Sequence, residues 1–363
     1  MLVTSHVDAI VGLQYGDEGK GKIAGAISET LDFQVTARYN GGANAGHTIV
    51  RSDNKRFELH QVPSSVVFGK PGHIGAGCAV DHSLLIKEMD YIKEIDPSID
   101  PYELLTVSPK AFIVKRKHIN LDSDYHAKEQ GSTSRGIAPA YSDFYNRTAT
   151  LFKDCDSKVR CLEAETVESL LLEGAQSFYL DPYQGNYPYT TSSHCLPSAA
   201  ASTFGFDPRL FRNIIGVAKF YETRSGTDPH FYSGPHSQYT NSHREEFSMI
   251  TELGKEYGVT TGRQRQIRYL DLNQLIFAAL SSGTNILVFN KVDVLDSLGI
   301  YKLVSNGELI EFENLFQMKA YIEMQIDSYC HLINKQSGSS IPLPYIAYSY
   351  SPKNDIDWNF LND

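Results

Sequence analysis

The sequence predicts an α/β protein with a large, mostly parallel central sheet flanked by helices. Three observations predict it. Short apolar runs of strand character recur along the whole chain, segments of helical period lie between several of them, and the first run passes directly into a glycine-rich loop. That loop, "GLQYGDEGKGKIAG" over residues 12–25, has the G-x-x-x-x-G-K spacing of a phosphate cradle from Gly16 to Gly21-Lys22. Two features are foreign to such a cradle. Ile23 stands where Ser or Thr would hold magnesium, and the acids Asp17 and Glu18 sit inside the loop.

The strand-like runs, in order, are "VDAIVGL", "QVTARYN", "HIGAGCAV", "AFIVK", "IIGVAKFY", "NILVFN" and "PYIAYSY". Each is a short apolar or β-branched stretch bounded by polar or turn-forming residues. Helices are expected in "DHSLLIKEMDYIKEI", where apolar residues return at helical spacing between acids and lysines, and in "LDLNQLIFAALSSG". Residues 181–212 and 222–247 are rich in Tyr, Ser, Pro and Gly and carry little periodicity. Their aromatic and histidine content predicts ordered, site-forming loops. No linker divides the chain, so residues 1–363 are read as a single domain.

Hydrophobic residues make up 41% of the chain and charged residues 21%, the balance of a core-forming globular protein. The net charge of -10 argues against nucleic-acid or membrane-surface partners, because phosphate backbones attract basic faces. Lys115-Arg116-Lys117-His118, a compact basic run, is expected to be a solvated loop or strand end. The five cysteines are odd in number and include no C-x-x-C pair, which reads as reduced thiols in a cytoplasmic protein. The N-terminus lacks the basic region and cleavage site of a signal peptide, and no stretch reaches the length of a membrane span.

Ligands of parallel sheets collect at the carboxyl ends of strands, and the motifs fall there. Residues 14–22 follow the first strand. Asn290-Lys291-Val292-Asp293, an N-K-x-D sequence, follows "NILVF". A carboxylate at Asp293 can accept from both N1–H and the 2-amino group of guanine, a donor pair that adenine lacks, while the Lys291 stem can lie over the base. In "NGGANAGHTIV", the glycines allow close backbone approach and His47 can donate to a phosphoryl or carbonyl oxygen. In "GVTTGRQRQIRYLD", alternate arginines of an extended loop would point to one side, as guanidinium forks for a carboxylate substrate, although the stretch taken alone reads better as a surface basic loop. "QGSTSRGIAPAYSDFYNR" and "EGAQ…GNYPYTTSS" place hydroxyls, an amide and an arginine among glycines, a set suited to a nucleotide monophosphate. Each alone is equally compatible with turn chemistry.

Taken together and in this order, the segments resemble the adenylosuccinate synthetase family of purine-biosynthetic ligases. "GLQYGDEGKGK" is similar to its G-Q-W-G-D-E-G-K-G-K, "NGGANAGHT" to Q-G-G-N-N-A-G-H-T, and "NKVDVLD" to T-K-L-D-V-L-D, while "GVTTGRQRQ" resembles its aspartate loop. The resemblance implies a P-loop-like, GTP-binding ligase fold. It also implies a reaction in which GTP phosphorylates O6 of IMP and L-aspartate then displaces the phosphate, giving adenylosuccinate.

The resemblance further implies catalytic roles for Asp17, His47 and Lys20, and Mg2+ held by Asp17 and the Gly46 carbonyl. GTP contacts are expected from Gly16, Glu18, Gly19, Gly21, Lys22, Thr48, Asn290, Lys291 and Asp293, and from Ser349, Ser351 and Pro352 of "YSYSPKND", where Ser351 replaces a glycine. For Glu18 a packing or loop-ordering role is the default. The nucleotide monophosphate would meet Asn44, Ser132, Thr133, Arg147, Gln176, Thr191 and Ser225. L-Aspartate would meet Thr260, Thr261, Arg263 and Arg265. In relatives the arginine matching Arg147 reaches the neighbouring subunit's site, so a homodimer is implied.

The chain departs from the family in several places. It is compact, like archaeal and phage members, and lacks a helical insert between Arg147 and Glu173. Tyr15 replaces a tryptophan, Ser225 a valine whose backbone meets the ribose, Gln264 and Gln266 arginines, and Arg268 a glycine. These changes keep open an alternative acceptor, dGMP, on which some phage members act to supply a modified genome, in which case the compartment would be the host cytoplasm. A catalytically inactive GTP-binding sensor is the alternative from another class, and the retained Asp17, Lys20, His47 and Arg263 argue against it.

Overall fold

The computed structural model describes residues 2–126, 131–162, 166–258, 262–338 and 340–362. Its centre is a nine-stranded sheet. In chain order the strands are β1 (Leu2–Gly12), β2 (Val35–Arg38), β3 (Gly72–Ile74), β4 (Leu105–Val107), β5 (Arg160–Cys161), β6 (Thr166–Glu173), β7 (Phe211–Lys219), β8 (Ile286–Asn290) and β9 (Tyr345–Tyr348). Across the sheet they run β9-β8-β7-β1-β6-β2-β3-β4-β5, and every neighbouring pair is parallel. β1 is central: the strands on one side of it precede β7 in the chain, and those on the other side are β7, β8 and β9. Such a reversal of strand order opens a crevice at the carboxyl ends.

Helix α1 (Lys20–Thr30) leaves the loop after β1 and is buried along most of its length. Gly21 and Gly25, one helical turn apart, are needed on one face of it. A Cβ on Gly21 would stand 2.7 Å from the His47 Cβ, and one on Gly25 would stand 2.8 Å from Ile49 Cγ2. These glycines let the strand His47–Val50 lie across α1 and bring His47 to the loop. The helices expected at His82–Ile95 and Leu272–Ser282 are present, with Asp81 and Asp271 as N-caps that accept from Leu84 and Gln274 amides.

The structure corrects several expectations. "HIGAGCAV" is two short strands in different sheets, because Gly75 and Gly77 press against the Arg38 and Tyr39 carbonyls. "IIGVAKFY" splits at Phe220, where the chain leaves the main sheet for a four-stranded one formed by Tyr221–Arg224, Gln266–Asp271, Lys302–Ser305 and Glu308–Glu311. The central strand β6 is absent from the runs read in the sequence, as is the 23-residue helix Leu315–Ser337. The basic run at Lys115 is solvated at Lys115, Arg116 and Lys117, as expected, but it is neither a loop nor a strand end. It opens the helix Arg116–Leu121, where His118 is buried against Asp143 at 2.9 Å and Lys117 pairs with the same carboxylate. The loops of 181–212 and 222–247 include the short helices Pro197–Phe204 and His236–Tyr239 and the first turn of Arg244–Gly254. Among the described residues no helix is long and apolar enough to cross a membrane.

Candidate active site

Six neighbouring strands end in or just before a polar residue or glycine of one crevice. β2 ends at Arg38, β1 at Gly12, β6 at Glu173, β7 at Lys219 and β8 at Asn290, and Ser349 follows β9. In a parallel sheet these ends point the same way.

The loop after β1 is built around Glu18. Its carboxylate accepts from the Gln14 amide at 3.2 Å, the Gly16 amide at 2.8 Å, Lys20 Nζ at 2.8 Å and Ser177 Oγ at 2.7 Å. It is 1% exposed, so the side chain orders the loop from within and does not face a phosphate itself. Gly12 makes room, since a Cβ there would fall 2.0 Å from Ser177 Oγ and 2.7 Å from Glu18 Oε2. Gly16, Asp17 and Gly19 have φ of 93°, 62° and 94°. Such a left-handed succession turns backbone N–H groups toward a common concavity. The concavity opens at the N-terminus of α1, the positive end of that helix.

Asp17 is the loop acid that faces outward. Its Oδ2 accepts from Ser225 Oγ at 2.8 Å and lies 2.7 Å from Arg265 Nε. Behind Arg265 the charges alternate: Nη1 meets Glu256 at 2.6 Å, and Glu256 meets Lys219 Nζ at 3.1 Å and the Tyr221 hydroxyl at 2.6 Å. Burial pushes the Asp17 carboxyl up, but the Arg265 and Lys219 cations, the Ser225 hydroxyl and Lys20 outweigh it and hold the pKa below the ordinary carboxylate value. Asp17 is therefore ionised at neutral pH. Arg265 does not stand as an open fork beside Arg263; it is 10% exposed and folded onto two carboxylates of its own chain.

His47 is buried with its Nδ1 in a short hydrogen bond to Glu173 Oε1. Glu173 also accepts from the Ser64 amide at 2.8 Å and hydroxyl at 2.9 Å, and Arg38 Nη1 lies 3.7 Å away. Burial and then Arg38 push the His47 pKa down to about 4, against the opposing pull of Glu173. The neutral ring carries its proton on Nδ1, toward Glu173, and leaves Nε2 for another partner. Burial alone would raise Glu173, but His47 and Arg38 bring it down to about 2. Sequence reasoning gave Glu173 no role. It stood in the quoted "EGAQ", and only its place at the end of β6 sets it against His47.

The loop, the N-K-x-D motif and the C-terminal turn meet at Lys22. Its Nζ donates to Ser349 Oγ in a short bond, to the Ser351 carbonyl at 2.5 Å and to Asn290 Oδ1 at 3.4 Å, and it pairs with Asp355 at 3.3 Å. Asn290 Nδ2 donates to the Glu18 carbonyl at 2.8 Å. Lys291 has φ of 63° and donates to the Gly254 carbonyl at 2.9 Å, and Asp293 lies half-buried in the first turn of the helix Val292–Leu298. Asp355 is a further residue of this cluster that sequence reasoning did not single out.

On the other side of the crevice, Asn44 Oδ1, Gln176 Oε1, Arg38 Nε and Arg224 Nη1 are buried with no hydrogen-bond partner among the described residues. Unmatched buried polar atoms mark places for a ligand or water. Gly41 packs on Gln176, and the Thr191 amide is tied to the Leu180 carbonyl. Ser132 is committed to Asp122 at 2.6 Å, Gly131 lies against the Gly226 backbone, and Thr133 is half-buried. Gly46 is exposed and Thr48 half-buried in the strand after it. Pro352 is exposed in the C-terminal turn. Arg147 makes no side-chain hydrogen bond or ion pair in this crevice among the described residues; it is exposed with φ of 64° beyond the helix Ile137–Tyr145. Thr260 and Thr261 lie outside the described residues.

A glycine-rich loop of phosphate-cradle spacing at the switch point of a parallel sheet, joined to an N-K-x-D segment and to an ionised carboxylate, is the arrangement of a nucleotide-dependent enzyme of the α/β class. Known proteins make the assignment specific. The adenylosuccinate synthetase family model matches residues 9–165 and 156–313. Adenylosuccinate synthetase of Aquifex aeolicus is 34% identical over 362 residues, covering 84% of this chain and 81% of that protein. That of Clostridium perfringens is 32% identical, covering 83% of this chain and 80% of that protein. The fully ligated enzyme of Plasmodium falciparum superposes with a TM-score of 0.73 at 25% identity, over 96% of this chain and 98% of that one. The succinoaminodeoxyadenylate synthetase of cyanophage S-2L, bound to dGMP and dATP, shares the fold at a TM-score of 0.70 and 19% identity, over 96% and 94% of the two chains. The chain belongs to the adenylosuccinate synthetase family. It is a GTP-dependent ligase that joins L-aspartate to IMP.

Proposed function

We propose that Asp17 is the general base of this reaction. The observation that carries the reading is its position: a carboxylate ionised at neutral pH, projecting from a phosphate loop whose far end is tied to the N-K-x-D segment. O6 of a lactam is a poor nucleophile until N1 loses its proton. The N1 proton passes to Asp17, O6 attacks the γ-phosphorus, and the β–γ bridge oxygen leaves with GDP. The amine of L-aspartate then adds at C6, the C6–O bond breaks to release phosphate, and the amine's proton is lost as the purine regains its C=N bond.

His47 Nε2 would face the transferring phosphoryl group. Arrival of that anion favours a proton on Nε2, and Glu173 behind the ring stabilises the imidazolium. Lys20 and the loop amides would hold the phosphates. Asp293 would take the guanine edge of GTP, with Lys22 fixing the C-terminal turn beside it. Arg265 would exchange its own chain's carboxylates for that of L-aspartate, and surrender of its contact with Asp17 would free that carboxylate. Arg263, Thr260 and Thr261 would complete the aspartate grip, and Asn44, Thr133, Gln176, Thr191 and Ser225 the nucleotide monophosphate site.

Mg2+ suits the donor set. Among the described residues no three His, Cys, Asp or Glu side chains gather as a metal cluster, and Mg2+ is commonly bound by one or two carboxylates with substrate phosphates. Asp17 and the exposed Gly46 carbonyl would hold it, where it would neutralise phosphate charge. We place the enzyme in the cytoplasm as a homodimer, with Arg147 acting across the interface. The test is parallel incubation of the protein with GTP, Mg2+, L-aspartate and IMP, GMP or dGMP, reading GDP release and product mass, with Asp17→Ala as control. Succinylated product from dGMP alone would replace IMP as the acceptor. GDP release by Asp17→Ala at the wild-type rate would remove the general-base role.

A further inference from the structure

Two departures from the family pattern, Tyr15 for tryptophan and Arg268 for glycine, meet in space. Arg268 is 3% exposed and Tyr15 4%. Arg268 Nη2 donates to the Tyr15 hydroxyl at 3.1 Å and to Gln274 Oε1 at 2.9 Å, and the Tyr15 hydroxyl donates to the same Gln274 oxygen at 2.9 Å. Arg268 Nε meets Glu222 at 2.5 Å, and Nη1 donates to the Phe231 carbonyl at 2.6 Å. The Tyr15 ring stacks on Tyr179 at 5.1 Å and takes the edge of Phe231 at 5.1 Å, and the guanidinium lies 5.0 Å from its centroid.

The chemistry makes the two exchanges one. A phenol oxygen can accept from a guanidinium while donating to an amide, whereas an indole has only an N–H donor. With Arg268 in place, tryptophan at 15 would leave a buried guanidinium N–H without its acceptor. With glycine at 268 there is no guanidinium to receive. Tyr15 immediately precedes Gly16-Asp17, and Phe231 ends the segment that begins at Ser225. Arg268 thus grips both sides of the 2.8 Å contact between Ser225 and Asp17.

We infer that Tyr15 and Arg268 are a positioning pair that holds the Asp17 loop and the Ser225 segment in register for the reaction. Neither touches the reacting atoms, and the inference rests on the role proposed for Asp17. It also makes the family's own tryptophan unsuitable in this chain.

The test uses the full chain with Tyr15→Phe, Tyr15→Trp, Arg268→Lys and Tyr15→Phe/Arg268→Lys. We measure kcat, the KM for GTP and the melting temperature with the nucleotide that wild type accepts. Losing a hydrogen bond to a charged group should lower kcat about tenfold in each single variant, with the KM for GTP changed by less than about twofold. The double variant should be no worse than the poorer single, since the residues act as one unit. Wild-type kcat in the Tyr15 variants, or losses that multiply in the double, would overturn the inference. So would a fall in melting temperature with kcat unchanged, the mark of a structural role alone. If Arg268→Lys does not fold, the Tyr15 variants decide, because they leave the ion pair to Glu222 intact. A wild-type protein inactive with every nucleotide would instead defeat the proposed function.

Discussion

Glu173→Gln separates the packing role of one buried carboxylate from the catalytic role proposed for its partner His47. Glu173 is wholly buried and receives the His47 ring, both donors of Ser64 and the approach of Arg38. Glutamine keeps the volume but offers one oxygen and one NH2. If the oxygen stays with the Ser64 amide, the NH2 faces His47 Nδ1, and the imidazole must move its proton to Nε2. If it turns over, a donor faces the Ser64 amide. In either case Arg38, 2% exposed, loses its anion. Breaking a buried pair by removing one partner costs about 3–5 kcal/mol, against a total stability of roughly 5–15 kcal/mol. The variant should therefore fold with a clearly lower urea midpoint. Turnover should fall as well, because the imidazolium loses a charged hydrogen bond of about 1.5–3 kcal/mol, or roughly 10–150-fold in kcat. The KM for GTP should stay within about twofold, since Glu173 has no contact with residues 290–293. Steady-state kinetics on folded protein, with urea titrations alongside, reads both effects. A folded Glu173→Gln enzyme with wild-type kcat would refute the reasoning about His47, whatever its stability.

Three further outcomes are expected. Asp293→Asn should weaken GTP relative to ATP by about 10–100-fold in kcat/KM, since the amide cannot accept from both guanine donors, and an unchanged ratio would contradict the assignment. Arg147→Leu should raise the KM for the nucleotide monophosphate about tenfold or more with little effect on the melting temperature, because the side chain is exposed in the single chain, and an active monomer in sedimentation would exclude a role across subunits. Stability should decline as pH falls below neutrality. His47 titrates near 4 when folded and near 6.5 when unfolded, so the unfolded chain binds more protons and stability is lost from about pH 6.5 down to 4. Glu173 and Glu256, each held at about 2, contribute stability above the unfolded value of 4.5 that is lost as pH falls further. Urea midpoints measured from pH 8 to 3 check this, and a midpoint flat from pH 7 to 4 would contradict it.

Much of this site was legible because its backbone chemistry is local. Gly16, Gly19 and Gly21 stand where a left-handed turn and a close helix–strand crossing exclude side chains, and those requirements are written at single positions. The strand before N-K-x-D announced itself as an apolar run, and Asp81 and Asp271 capped the two helices expected from periodicity. β6 escaped because an apolar triplet following a charged start suits helix and strand alike. Arg265 was read as a fork open to substrate, and its turn onto Asp17 and Glu256 was not readable because Glu256 is nine residues away on a different backbone path.

The sequence by itself determined the α/β class, the glycine-rich loop, the N-K-x-D segment and the identity of the loop acids, since each depends on residue types at fixed short spacing. Only the tertiary structure decided which loop acid faces inward and which outward. It also set Glu173 behind His47, tied Lys22 to Ser349 across 327 positions and joined Tyr15 to Arg268. The physical reason is that a parallel sheet gathers the carboxyl ends of strands far apart in the chain. The partners that fix the charge and orientation of each group in the candidate site are set by strand order, which no local spacing records.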